Sequence, residues 1–175
     1  HSDTVQSVGK TKLDLQVIPV DFIVASAHKF HGPKGIGFAF VRRRSGLRPL
    51  FFGGEQEKGL RPGTEGVHQI AGMAKAFELS YHNLEADTKH ISELKAYLIG
   101  QLEIEFPKYK INGNQEGFYT VLNIQLPFSE DKTAMILFHL DMKGIAVSRG
   151  SACQSGSISP SHVLEEILPK EEVNK

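Results

Sequence analysis

The chain has 175 residues, 40% of them hydrophobic, with 20 basic side chains against 20 acidic ones. It is therefore long and apolar enough to bury a core in one domain or two small ones, and the balanced charge gives no argument for nucleic acid as a partner. No run approaches the roughly 20 apolar residues that span a bilayer, and a single cysteine makes neither an internal disulfide nor a multi-cysteine zinc site, which points to a reducing compartment, by default the cytoplasm, or leaves a thiol kept for chemistry.

In chain order, Leu13-Asp14-Leu15 reads as a short strand, Asp21 to Ala25 as a second and Gly35 to Val41 as a third. The second is apolar on both faces, which predicts a central position in an α/β sheet. Arg42-Arg43-Arg44 is most simply a solvated strand exit, and Gly53-Gly54 to Gly63 a loop. From Val67 the apolar spacing turns helical. Ile70, Met73, Ala74, Phe77 and Leu84 make one stripe, and Ile91, Leu94, Leu98, Leu102 and Ile104 a second, with the break expected near Asp87. Beyond Pro107, Lys110 to Asn112, Thr120 to Leu126 and Ile145 to Val147 read as strands. Lys132 to Met142 reads as a helix starting at a Ser129 cap. The expected division is residues 1–85 in an α/β part and 86–175 in an α+β part, with polar His82, Asn83, Glu85 and Asp87 interrupting the stripe.

Two residues carry chemistry. Lys29 follows the apolar run in Ser26-Ala27-His28-Lys29 and precedes the glycine-rich Gly32-Pro33-Lys34-Gly35-Ile36-Gly37. An amine at the exit of a buried strand suits a Schiff-base lysine, and Ser26 and His28 offer donors for a phosphate. Taken alone, a lysine after a strand is usually a solvated end, and the glycines lack the Gly-Lys-Ser/Thr ending of a nucleotide-binding loop. Cys153 lies in Gly150-Ser151-Ala152-Cys153-Gln154-Ser155-Gly156. That small, polar setting favours a reactive thiol over a structural one. Together the pair suggests pyridoxal-phosphate chemistry on sulfur. Asp3 either caps a helix or, on a parallel neighbouring strand, lies near Lys29, where a carboxylate keeps a pyridinium nitrogen protonated. The eight histidines show no metal-ligand spacing, so no metal site is expected.

These motifs resemble the cysteine desulfurases of iron–sulfur cluster assembly and nitrogen fixation. The resemblance rests on residues 1–10 with Asp3 and Gln6, on Ser26 to Lys29 with Gly32 to Gly35, on Arg61-Pro62-Gly63-Thr64-Glu65, and on Gly150 to Gly156. It implies the end of the large domain of a fold-type-I pyridoxal-phosphate transferase followed by its small C-terminal α+β domain. It also implies that Asp3 pairs with the pyridine nitrogen, that Gln6 hydrogen-bonds the ring hydroxyl, and that Ser26, Ala27 and His28 line the cofactor, with Ser26 and His28 on its phosphate. Lys29 would tether the cofactor, Thr64 would reach the phosphate of a neighbouring subunit in a homodimer, and Cys153 would take sulfur from L-cysteine for an acceptor or iron–sulfur scaffold protein. Arg149 departs from the small polar residue common in relatives. The family's stacking histidine, its glycine-threonine turn and its substrate-carboxylate arginine lie outside these residues, so the chain is expected to be a piece of a longer protein and inactive alone. A selenocysteine lyase or an aminotransferase, a non-catalytic dimerisation or scaffold-docking module and, with no ligand set in one cysteine and scattered histidines to favour it, a metal-binding module are the alternatives.

Overall fold

The computed structural model describes residues 1–148 and 161–173. The chain forms two compact units, His1–Lys89 and His90–Lys175.

In the first unit, β1 (Ser2–Asp3), β2 (Phe22–Ser26) and β3 (Gly37–Val41) form one sheet in that spatial order. β1 runs parallel to β2 with Asp3 opposite Val24, and β3 runs antiparallel from Phe22↔Val41 to Ser26↔Gly37. β2 is central, as its two apolar faces require. A single 3-10 turn, Ala27–Phe30, follows it directly. The core gathers there: Val8, Ala25, Ala27 and Phe30 are buried, with Leu13, Ile36, Phe38, Met73 and Ala76 packed around them. Helix α1 (Val67–His82) covers this core, and the Phe77 ring meets Phe30 and Phe38 edge-on at 6.0 and 5.9 Å. Each such pair adds about 1 kcal/mol beyond area burial. Met73 and Ala76 are helix residues packed against the core, while Ala74 is exposed. The seat is fixed at Gly72, where a Cβ would come within 2.8 Å of Pro33 Cγ.

Leu13 to Leu15 is not a strand. The Asp14 carboxylate accepts from Gln16 N at 2.9 Å and its carbonyl accepts from Val17 and Ile18 N, so a turn takes the donors that a ladder would need. Arg42, expected to be solvated, closes this loop instead. Its guanidinium donates to the carbonyls of Leu15 at 2.7 Å, Val20 at 2.8 Å and Ile18 at 3.2 Å. Three carbonyls left without a charged donor predict that Arg42→Ala lowers stability by about 2 kcal/mol, with Arg42→Lys recovering only part of it. Chemical denaturation of the two variants checks this.

The helices divide at Asn83 rather than Asp87. Asn83 N donates to Leu79 O to end α1, and its own carbonyl accepts from Asp87 N at 2.9 Å as α2 (Leu84–Glu105) begins. In the second unit, β4 (Lys110–Ile111) and β5 (Ile124–Gln125) form an antiparallel pair. The longer strand expected over 120–126 is cut to its paired residues, and beyond them Asn112 N and its side-chain amide reach Asn123 at 3.0 and 2.8 Å. Helix α3 (Glu130–Asp141) starts at Ser129, which makes no side-chain cap bond. Ile145 to Val147 is not a strand: Gly144 at φ 74° lets Ile145 N return to Leu140 O at 2.9 Å, a helix C-terminal closure. Helix α4 (His162–Ile167) had no clear periodic signal. After it, Glu172 pairs with Lys110 at 2.8 Å and its carbonyl accepts from Gln125 Nε2 at 3.2 Å, tying the segment to the β4–β5 pair. This is the mixed α/β and α+β content expected of the two parts.

Candidate functional site

The first unit concentrates its chemistry at the carboxyl end of β1 and β2, where ligands of open α/β sheets bind. Three residues per 3-10 turn place Ala27 and Phe30 on one face, and both are buried, at 0% and 2% exposure. With that face given to the core, His28 is exposed and Lys29 half-buried. Ser26 begins the turn in an extended conformation and makes no side-chain cap bond, so its hydroxyl is not spent on the helix end. Ala27 contributes backbone only: its N–H donates to Ile36 O at 3.0 Å and its carbonyl accepts from Gly32 N at 2.8 Å. Glycine is required on both sides of this turn. A Cβ on Gly32 would lie 2.9 Å from Ala27 Cβ, and one on Gly37 would collide with the Ala25 carbonyl.

Asp3 reaches the same end of the sheet because β1 is parallel to β2. Its neighbour Thr4 anchors it: Thr4 N and Oγ1 both donate to Val24 O, at 3.0 and 2.8 Å, and Thr4 is 6% exposed. Nothing in the sequence distinguishes Thr4, a threonine beside a polar segment with no characteristic spacing. Asp3 Oδ1 accepts from Val5 N at 2.9 Å. That bond is an Asx turn rather than a helix cap, since turns and no helix follow Asp3, and it fixes the carboxylate while engaging one of its two oxygens.

The segment after Thr4 turns twice, with Ser7 and Val8 N on Thr4 O and Lys10 and Thr11 N on Ser7 O. Gly9 has φ 75°, and a Cβ there would lie 2.8 Å from Phe30 Cβ and 2.9 Å from Ser80 Oγ. Only glycine lets this turn close on the Lys29 turn. Lys10 is thereby brought into the field of Lys29, and its Nζ donates to Gln6 Oε1 at 3.1 Å. Burial, and after it the Lys29 charge, holds the Lys10 ammonium below its ordinary value of 10.5. Lys10 was not singled out from the sequence; the signal was its i,i+4 relation to Gln6.

The donor set fits pyridoxal phosphate. A fixed carboxylate, a hydroxyl free of its helix end, an imidazole and an amine stand on adjoining strand ends, and they match a pyridine nitrogen, a phosphate and an aldehyde in charge and in hydrogen-bonding sense. Thr64 lies apart from them in sequence, exposed in the long connection between β3 and α1 that, on the other side of a 3-10 turn at Gln56–Gly59, also carries Leu50, Phe51 and Phe52. Cys153 and Arg149 lie outside the described residues. Among the described residues no group of three or more His, Cys, Asp or Glu could hold a metal ion, and no helix is long and apolar enough to cross a membrane.

The family model for aminotransferase class-V matches residues 1–167. Cysteine desulfurase IscS of Dictyoglomus turgidum is 40% identical over 167 residues, covering 95% of this chain and 42% of that protein. The X-ray structure of a NifS-like protein from Rickettsia africae superposes with a TM-score of 0.81 at 28% identity, over 99% of this chain and 45% of that one. The structure of SspA in complex with cysteine gives 0.67 at 29% identity, over 98% of this chain and 46% of that one. The chain thus spans less than half the length of these relatives.

Proposed function

Since the chain belongs to the aminotransferase class-V family, we propose that it is the Lys29- and Cys153-bearing part of a pyridoxal-phosphate-dependent cysteine desulfurase. The reading is carried by one observation: parallel pairing of β1 with β2 puts the Asp3 carboxylate at the same sheet end as Ser26, His28 and Lys29. Similarity to an IscS and to a relative solved with cysteine supports L-cysteine as the substrate.

Bound pyridoxal phosphate supplies an electron sink for the bonds broken at the substrate. Asp3 holds a proton on the ring nitrogen by accepting its hydrogen bond. Ser26 and His28 donate to the phosphate, while Gln6 donates to the ring hydroxyl. Lys29 would tether the cofactor through its amine and, as the free amine, would take the α-proton of L-cysteine and give a proton back to the carbon skeleton only at the end of the reaction. The Cys153 thiolate then attacks the substrate sulfur. A sulfur–sulfur bond forms as the Cβ–S bond breaks, the electron pair stays with the carbon skeleton, and protonation releases alanine. The small, polar residues around Cys153 suit a segment that delivers this sulfur to an acceptor or iron–sulfur scaffold protein, in a cytoplasmic setting that keeps a lone thiol reduced.

A second copy of the chain completes the site. Leu50, Phe51 and Phe52 are 88%, 69% and 87% exposed, three consecutive apolar side chains that a homodimer would bury in the loop carrying Thr64. Phe52→Asp is expected to shift the native protein from dimer to monomer in sedimentation velocity and to weaken cofactor binding with it. An unchanged dimer removes this loop from the interface. The activity itself is tested by incubating the native protein carrying this chain with pyridoxal phosphate and L-cysteine. Equimolar alanine and protein-bound sulfane sulfur are expected; transamination to a keto acid without sulfane sulfur contradicts the reading.

A further inference from the structure

Gln6 is exposed, and an exposed amide turns freely, offering either its carbonyl oxygen or its NH2 to whatever lies beside it. Here one partner is decided. An ammonium has donors only, so Lys10 Nζ at 3.1 Å selects the Gln6 carbonyl oxygen and leaves the NH2 as the group the amide has to give. We propose, on the reading of the site above, that Lys10 is a positioning residue for the cofactor ring: by taking Gln6 Oε1 it commits the Gln6 amide to donate toward the ring hydroxyl oxygen.

Three features on the backbone hold Lys10 to this role. The turn is pinned at its start by Thr4 on Val24 O, and the two successive turns through Ser7 set Gln6 and Lys10 four residues apart on one side. Gly9 supplies the close approach to Phe30 that seats the turn on the Lys29 segment. Burial and the Lys29 charge both disfavour the Lys10 ammonium, while its bond to Gln6 ties it to a residue assigned to the cofactor.

The test is a double-mutant cycle on the native protein, reading pyridoxal phosphate affinity by absorbance titration and the thermal midpoint without cofactor. Lys10→Met is expected to weaken affinity about fivefold, the factor carried by one hydrogen bond of typical net strength. Lys10→Arg is expected to restore most of it, and the loss is expected to vanish in a Gln6→Leu background, where no amide remains to orient. The midpoint of Lys10→Met at neutral pH is expected not to fall, whereas a lysine that merely braced the turn would lower it. Unchanged affinity in Lys10→Met, or an equal loss in the Gln6→Leu background, overturns the proposal while leaving the site reading intact. Failure of borohydride to fix pyridoxal phosphate on Lys29 in the unsubstituted protein overturns the site reading, and this proposal with it.

Discussion

Lys29→Ala in the native protein is expected to abolish borohydride-stable attachment of pyridoxal phosphate and to lower alanine production about a thousandfold or more. Both losses follow from one side chain with two tasks. On the proposed reading the amine is both the tether that holds the cofactor and the base at the α-carbon; positioned proton transfer alone is worth roughly 100- to 10,000-fold. The fold should survive the change, because the buried partners of the turn are Ala27 and Phe30 while Lys29 is only half-buried. Circular dichroism and the thermal midpoint therefore serve as the control. Added methylamine offers a sharper check, since a small exogenous amine can replace a missing base but restores no tether.

Cys153→Ala is expected to separate sulfur transfer from cofactor chemistry. Pyridoxal phosphate should bind and be fixed on Lys29 as before, because none of the groups proposed to hold it at the β1 and β2 ends is altered. Sulfane sulfur on the protein should disappear, and alanine formation from L-cysteine should fall by about a thousandfold, the order expected for loss of a nucleophile. Selenocysteine lyases and aminotransferases share the lysine and the carboxylate but have no need of this thiol. Activity that survives Cys153→Ala would assign the chain to one of those reactions instead.

The sequence revealed β2 and the turn after it because a central strand, buried on one face and half-buried on the other, leaves a continuous apolar run, Phe22-Ile23-Val24-Ala25, ahead of the polar Ser26-Ala27-His28-Lys29 cluster. Leu13-Asp14-Leu15 carries the same alternation as an edge strand. What decides against it is the Asp14 side chain bonding Gln16 N and the Arg42 guanidinium collecting three carbonyls from a strand away, and neither is visible in local spacing. Arg42 looked solvated for the same reason: a basic run is ordinarily a surface feature, and only the tertiary arrangement distinguishes its first member from the next two. Ile145 to Val147 shows the complementary error, since β-branched residues after a glycine fit a strand and a helix closure equally well until the Ile145 to Leu140 bond is formed.

At the site, Asp3, Ser26, His28 and Lys29 were legible as residue types in motif order, whereas their meeting depended on the direction of β1. A parallel β1 brings Asp3 to the Lys29 end, and an antiparallel one would have sent it to the other. Thr4, Gly9 and Lys10 act through backbone carbonyls, a positive φ and a neighbouring amide, relations that no single motif records.

The central claim is a bond between this chain and its cofactor at one named atom, and peptide mapping tests it most directly. The native protein is incubated with pyridoxal phosphate, reduced with borohydride, digested and sequenced by mass spectrometry. The account predicts a single phosphopyridoxyl adduct on Lys29 Nζ, within the peptide that contains Ser26 and His28. An unmodified Lys29 with the adduct on another lysine, or no adduct at all, contradicts it.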